Sequence, residues 1–510
     1  MGAAMGLETE LKLRIPASTP RTEVQGWLGD DYDVDVGRGA QRHLESTYFD
    51  TPKCKLRRHG LSLRIRRDGE RHIQTVKSAK PGRLGRGEWE MDVDGDAPEL
   101  DKADGTPLAR FSSKGLRRKL KPLFKTSVDR TTLPLRGKGS EIELAIDRGR
   151  IASGRRSAPI GEYELELKNG RSTELFRLAR AAAQRAEAEL DLRSKAQRGY
   201  GLLEDQPDAV TFAEPIALDE DMSAMEAFRA IGVACLAHFS GNANAVRNAD
   251  TEGVHQMRVG LRRMRAAISL FSDMLEPAGR ERIKSELKWL TNELGPAREI
   301  DVFVSEKIEP AGRDVAPQRG RQALEEEFVD KRESALKRAA TAASSSRFRV
   351  LLIDVMEWLQ QGRFHGRDAE TPIGKLAPKI LRRRIRKLEK VGPELETMSA
   401  LQRHKVRIKV KKLRYAIGFF DSLFPAKDDR KQLKQLAKRL KRVQNALGAL
   451  NDAQAHQDMT TSSALAAPRR HRRARAFVAG VLLGREQEST KPLIKAARHD
   501  IESLGQIGTP

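Results

Sequence analysis

The hydrophobic pattern of this chain changes period near residue 204, and no single motif restricts its fold as much. Before that point apolar and polar residues alternate; after it, apolar residues recur every three or four positions. Alternation sends successive side chains to opposite faces of a strand, whereas the longer period draws one stripe along a helix. At 510 residues the chain is expected to hold more than one domain. The expected boundaries are a strand-rich domain over 5–204, an acidic segment over 205–221 that carries Pro207 and Pro215, and a helical domain over 222–505.

In the first part, strands are predicted at 44–49, 61–67, 72–77, 88–93, 125–135, 141–146 and 160–168, with helices at 20–28 and 172–188. Turn signals such as Arg67-Asp68-Gly69 and Gly137-Lys138-Gly139 separate them. So many antiparallel strands with few helices suggest a closed or nearly closed barrel, which leaves no exposed edge. The polar faces of these strands are charged in period two. Glu8, Glu10 and Lys12 share one face, as do Arg64 and Arg66, Glu88 and Glu90, Glu141 and Glu143, and Glu162, Glu164, Glu166 and Lys168. Like charges on one strand face repel unless a cation lies between them. A divalent metal on the glutamates, with an anion on Lys12, accounts for the first triplet; an outward-facing solvated strand is the other reading of those residues alone. Repeated over strand after strand with both signs, the pattern favours a barrel with a charged interior.

In the second part, helices are predicted at 224–247, 253–275, 280–294, 322–343, 347–361, 376–391, 399–423, 431–447 and 473–487, with breaks at Gly295-Pro296 and Phe424-Pro425 among others. Lys and Arg number 40 against 33 acids up to residue 210, a surplus of +7, so the helical part carries +17 of the net +24. Such a surplus attracts polyanions. Within this part, His255, Arg258, Arg262 and Arg265 have the same offsets as His404, Arg407, Lys411 and Arg414. Steps of three, four and three put each set on one helical stripe. Each copy runs into an apolar stretch and a proline, then a helix ending in Leu294-Gly295 or Leu447-Gly448, with Glu299 or Asp452 after it. A duplicated four-helix unit follows naturally. Arg263 and Lys412, one step off the stripes, are expected at their rims.

Aromatic residues make up only 5% of the chain, which disfavours single-stranded nucleic acid, where bases stack on rings. No duplex-reading motif stands out. A groove of Arg, Lys and His without aromatics suits a phosphate chain. Cys54 and Cys235 are the only cysteines, so neither a disulfide framework nor a cysteine metal site is available. No signal peptide and no apolar run of about 18 residues is present, so a cytoplasmic protein with no membrane partner is expected.

The first part resembles the CYTH domain of triphosphate tunnel metalloenzymes. The likeness rests on Glu8-x-Glu10-x-Lys12, Tyr48-Phe49-Asp50-Thr51-Pro52, Arg64-x-Arg66, Thr75-Val76-Lys77, Glu141 to Asp147, Glu162-x-Glu164-x-Glu166 and Ser194-Lys195 to Tyr200. The second part resembles the CHAD domain, and the tandem is similar to bacterial inorganic triphosphatases. The resemblance implies a multidomain protein: an N-terminal α+β domain with an eight-stranded antiparallel tunnel barrel, and a C-terminal all-α bundle of two four-helix repeats. It implies Mg²⁺ or Mn²⁺ held by Glu8, Glu10, Glu164 and Glu166, with Asp147 assisting; which of Glu162, Glu164 and Glu166 ligate stays open. Lys12, Arg64, Arg66, Lys77, Arg130 and Lys195 would bind the phosphates of tripolyphosphate, and Glu8, Glu10, Lys12, Glu164 and Glu166 would form the catalytic set. The two basic stripes would bind long-chain polyphosphate, which places the protein at polyphosphate granules. Adenylate cyclase activity on the same tunnel and non-enzymatic polyphosphate binding are the alternatives, and the sequence leaves the oligomeric state open.

Overall fold

Alternation over the first two hundred residues produces a single antiparallel sheet. In a computed structural model the described residues are 9–507, apart from 21, 30–31, 33–38, 79–86, 112–113, 205–209, 309–317, 367, 467–471 and 488–489. The strands are β1 (Thr9–Arg14), β2 (Ala40–Asp50), β3 (Leu61–Asp68), β4 (Arg71–Ser78), β5 (Gly87–Val93), β6 (Lys121–Gly137), β7 (Ser140–Ser153), β8 (Arg156–Asn169) and β9 (Glu189–Leu190). Their order across the sheet is β5-β4-β3-β2-β6-β7-β8-β1-β9. The expected eight strands thus become nine, because the two-residue β9 pairs with Leu13 and Arg14 of β1. No ladder joins β5 to β9 among the described residues, so the sheet curls without closing by hydrogen bonds.

Its two faces are inverted relative to an ordinary barrel. Leu11, Leu13, Leu144, Ile146, Tyr163 and Leu165 are buried on the outer face. They lie beneath helices α1 (Glu23–Leu28) and α4 (Ser172–Arg185), whose Trp27, Leu175, Phe176 and Ala179 are also buried. On the other flank, the short helix α2 (Lys55–Arg58) brings Leu56 into a cluster with Leu61, Leu63, Ile65 and Val76. The short helix α3 (Lys114–Arg117) contributes Leu116 there. The inner face is therefore left to polar side chains, except at one end. There α5 (Lys195–Leu203) packs Ala196, Tyr200 and Leu202 against Tyr48, Phe124, Val128, Ile151 and Ile160.

The second part is helical: α6 (Ala224–Ser240), α7 (Ala243–Arg247), α8 (Thr251–Leu270), α9 (Pro277–Phe303), α10 (Gln318–Ser344), α11 (Ser346–Gln361), α12 (Ile373–Glu389), α13 (Ala400–Phe420), α14 (Lys427–Ala466), α15 (Arg472–Gln487) and α16 (Thr490–Glu502). Side-chain caps start the key helices: Asp250 accepts from Glu252 N and Gly253 N ahead of α8, and Ser399 forms a capping box with Gln402 ahead of α13. The break expected at Gly295-Pro296 is not there. Pro296 lies inside α9, where a proline removes only one backbone donor and buried Leu290, Leu294 and Ala297 hold the helix on its neighbours. α14 likewise runs past Gly448 to Ala466.

The chain divides into two compact units, residues 1–209 with 344–361, and 210–343 with 362–510. The periodicity of α11 groups it with the helical half, yet it packs in the first unit. Arg180 of α4 donates to Asp354 Oδ1 at 2.7 Å and pairs with Glu357. No described helix is long and apolar enough to cross a membrane.

Candidate active site and basic helical stripes

Strand register places the charged residues on one face. Across the sheet, Arg14 lies opposite Glu162, Glu162 opposite Asp147, and Asp147 opposite Arg130. One step along, Lys12 faces Glu164; a step further, Glu10 faces Glu166, which in turn faces Glu143. On the far flank Ser46 pairs with Arg66 and Tyr48 with Arg64, while Lys77 lies opposite Glu88. Directly opposed residues share a face of the pleat, so all of these point inward together. The curl brings the flanks close: Lys77 on β4 acts electrostatically on Glu10 of β1, although five strands separate them in the sheet order.

At the α5 end the inner face becomes a dense ionic cluster. Asp147, Glu162 and Glu164 each offer an oxygen within 4.8 Å of the others. Lys195 Nζ sits 2.8 Å from all three carboxylates. Arg130 donates to Asp147 through Nε and Nη2 at 2.7 Å and also pairs with Glu164, while Arg198 Nη1 reaches Glu162 at 2.5 Å. Asp147 and Glu162 are fully buried. Burial pushes the Glu164 carboxyl up, but Lys195 and Arg130 outweigh it and hold it well below the usual range. The same pairing holds Lys195 and Arg130 above their ordinary values against the pull of burial. For Glu10 the balance is reversed: burial and Glu164 raise it against the weaker pull of Lys77, Lys12 and Lys195. Lys12 is lowered by burial, and its ammonium donates to the Arg193 carbonyl. Asp191, also close to Lys12, is depressed by that lysine and Arg193 despite its burial.

The opposite wall is basic. Arg64 is 9% exposed and reaches Glu88 and Glu90 at 3.4 and 3.7 Å; Lys77 pairs with Glu88 at 2.7 Å. Arg66 has no ion pair among the described residues, and its Nε has no hydrogen-bond partner. Burial, with Arg64 and Arg130 nearby, pushes its guanidinium down to about 10.

In the helical unit each basic stripe lies against the next helix, and Arg258 and Arg407 each approach a glycine there. A Cβ on Gly295 of α9 would stand 3.2 Å from Arg258 Nη1, and one on Gly448 of α14 would stand 3.4 Å from Arg407 Nη2. Arg258 donates to the Thr291 carbonyl and lies 3.9 Å from Glu299, while His404 meets Asn451 and Arg414 meets Gln444, both at 2.5 Å. Burial, together with Arg262, pushes Arg258 down to about 10 and lowers His255. Between α8 and α13, Arg262 Nε donates to Tyr415 Oη at 3.5 Å and Lys412 donates to Ser269 Oγ at 2.9 Å. Lys412 is lowered by burial and by Arg384, Arg265 and Lys284, so four helices bring cations together here. 

Residues 6–200 match the CYTH domain and residues 230–461 the CHAD domain. The chain carries a CYTH domain followed by a CHAD domain. An inorganic triphosphatase of Haemophilus influenzae is 30% identical over 162 residues, 31% of this chain and 45% of that protein. This chain thus spans less than half the length of that relative. An uncharacterised protein of Mycobacterium tuberculosis is 26% identical over 455 residues, 81% of this chain and 82% of the other. The crystal structure of the CHAD domain from the plant Ricinus communis is 28% identical, covers 58% of this chain and 97% of its own, and has a TM-score of 0.49.

Most of the residues expected at the CYTH site share the tunnel face. Glu8 lies outside the described residues. Lys12, Arg64, Arg66, Lys77, Arg130, Asp147, Glu164 and Lys195 face inward, and Glu10 stands next in line. Glu166 is not in the three-carboxylate cluster; Lys168 pairs with it at 2.7 Å. Glu162 is the carboxylate that joins Asp147 and Glu164 instead. Arg198 belongs to the Ser194 to Tyr200 motif, which gives it no role of its own, and no sequence pattern singles out Asp191. Arg198 stands one turn after Lys195 on α5, a spacing that could have flagged it. In the CHAD domain, Arg263 is no rim contact: it is 7% exposed, lies over Phe419 and donates to His238 Nδ1. Arg384 and Lys284 had no repeat to mark them.

Proposed function

We propose that the CYTH tunnel hydrolyses inorganic triphosphate to pyrophosphate and phosphate with Mg²⁺ or Mn²⁺, and that the CHAD helices bind longer polyphosphate. The observation that carries this reading is the meeting of a three-carboxylate cluster with a wall of buried and half-buried cations on one tunnel face. The donor set fits the ion. Asp147, Glu162 and Glu164 present hard carboxylate oxygens within 4.8 Å of one another, the donor chemistry that Mg²⁺ and Mn²⁺ favour. Glu10 and Glu166 extend the acidic row, and Glu8 precedes it in the chain. When bound, the ion supplies charge neutralisation at the phosphate oxygens and a more acidic water. Arg64, Arg66, Lys77 and Lys12 hold the triphosphate by its oxygens, and Arg66 has no internal carboxylate to surrender first. Arg130, locked on Asp147 by two hydrogen bonds, keeps that carboxylate aimed inward. Water attacks the terminal phosphorus, the bridging P–O bond breaks, pyrophosphate departs with the bridging oxygen, and the proton passes to solvent. Catalysis of this kind rests on positioning and on stabilising charge.

The matching contacts of Arg258 with Gly295 and of Arg407 with Gly448 support a duplicated CHAD unit with two equivalent basic stripes. The test of the tunnel is phosphate release from tripolyphosphate with either metal. Glu164→Gln should lower turnover at least about a hundredfold, the usual scale for losing one preorganised charge contact. Wild-type turnover in that variant would sink the metal set. Cyclic AMP from ATP, without tripolyphosphate hydrolysis, would make the tunnel a cyclase.

A further inference from the structure

The acidic cluster of the tunnel is already neutralised by the chain itself. Asp147 Oδ1 accepts from Arg130, Asp147 Oδ2 meets both Arg130 and Lys195, Glu162 Oε1 meets Arg198 and Oε2 meets Lys195, and Glu164 meets Lys195 through Oε1 and Arg130 through Oε2. Every oxygen of the three carboxylates therefore faces a cation. The Lys195 ammonium lies at their focus, 2.8 Å from each residue, where a metal ion bound to the same oxygens would sit. A divalent cation and an ammonium cannot share that point in a buried site, because their repulsion is weakly screened there.

We propose that Lys195 is a displaceable counter-ion: it holds the metal-binding carboxylates until triphosphate draws its ammonium away, so that metal and triphosphate bind cooperatively. This rests on the triphosphatase reading of the tunnel. The three cations of the cluster are not equally able to leave. Arg130 grips Asp147 with a two-pronged fork and Arg198 also donates to the Pro159 carbonyl, so each is held at more than one point. Lys195 is a point charge on a flexible stem at the first position of α5, and its described partners are the three carboxylates. Its new partner would be an anion on the same inner face, beside Arg66, which has no carboxylate of its own. Metal alone must expel a buried ammonium with nowhere favourable to go, and anion alone finds that ammonium committed. Together each removes the obstacle to the other, and the coupling must be equal in both directions.

The sign of one substitution separates this from other roles for Lys195. Lys195→Met keeps the stem and removes the charge, so the carboxylates lose their competitor. Mn²⁺ binding to the full chain is read from free Mn²⁺ by electron paramagnetic resonance, with and without imidotriphosphate, correcting for metal complexed by the analogue in solution. In the wild type, imidotriphosphate should tighten Mn²⁺ binding by at least about tenfold, within the usual range of coupling between sites. In Lys195→Met, Mn²⁺ alone should bind at least about fivefold tighter than to wild type, and the coupling should shrink to about twofold or less. Lys195→Arg, which restores the charge, should return metal-only binding to weak. A lysine that only touches phosphate would leave metal-only affinity unchanged, and one that only supports the fold would weaken it. Either result in a variant that melts like the wild type overturns the exchange. If the wild type hydrolyses tripolyphosphate and binds Mn²⁺ but Lys195→Met binds it no tighter, the exchange alone falls. If the wild type binds no Mn²⁺ even with imidotriphosphate, the metal reading of the tunnel falls and the exchange with it.

Discussion

Arg262, Arg263 and Arg265 stand within four residues of one another on α8 and have different fates. Arg262 and Arg265 belong to the basic stripe, while the 100° step between neighbours turns Arg263 into the core, where it donates to His238 Nδ1. An imidazole that accepts from arginine at Nδ1 must carry its proton on Nε2, which can donate to Gln256 Oε1 at 3.2 Å. Burial, reinforced by the Arg263 charge, pushes His238 down to about 4. Between about pH 6.5 and 4 the unfolded chain binds a proton that the folded chain refuses, so stability contributed by neutral His238 is present above 6.5 and lost as pH falls through that window. The cost should be on the order of 2 kcal/mol. Scanning calorimetry from pH 7 to 4.5 should show the decline of the transition, and His238→Gln should flatten it. An equal decline in both proteins would exclude His238 as its source.

A single short helix organises one end of the tunnel. α5 begins with a capping box between Ser194 and Gln197, which fixes the turn that carries Lys195. Two residues further in the same helix tie it down. Tyr200 Oη donates to Asp50 Oδ2 at 2.9 Å, and the buried Asp50 also accepts from Leu56 N and Arg57 N, so β2, α2 and α5 meet at one carboxylate. Gly199 allows the helix to lie on the ring of Phe124: a Cβ there would come within 2.2 Å of Cε2. Phe124 stacks on Tyr48 and cannot retreat freely. Gly199→Val should therefore lift α5, cost about 1–3 kcal/mol as overpacking commonly does, and lower the melting temperature by several degrees. Because Lys195 and Arg198 move with the helix, tripolyphosphate turnover should fall further than stability alone explains. A variant with the wild-type melting temperature and turnover would show that the contact relaxes without displacing the helix.

Across the whole molecule, charge is divided unequally: mixed signs on the inner face of the CYTH domain, and a surplus of cations in the helical part. Neutralising one member of each stripe, Arg258→Gln with Arg407→Gln, should weaken binding of long-chain polyphosphate more than tenfold and reduce its salt dependence, while tripolyphosphate kcat/KM stays within about twofold. Filter binding at several salt concentrations, beside a phosphate-release assay, reads both; loss of hydrolysis along with binding would mean that the two domains do not act separately. Much of this plan was legible along the chain. The change of period separated strands from helices, alternation put Glu10, Lys12, Arg64 and Arg66 on polar faces, and repeated offsets marked the two stripes, because these are properties of nearest neighbours in sequence. Helix breaks were less legible: the proline at 296 reads as a stop, but buried neighbours carried α9 through it. The make-up of the ionic cluster was beyond local reading. Alternation allows Glu162, Glu164 and Glu166 equally, and only the pairing of β7 with β8, together with the placing of Lys195 by α5, selects Glu162 and Glu164 to meet Asp147. The sequence by itself determined which faces carry charge and of which sign, since period and composition suffice for that. Tertiary structure alone decided which charges touch, because the sheet's register and curl bring together residues from β6, β7, β8 and α5 that no local pattern connects.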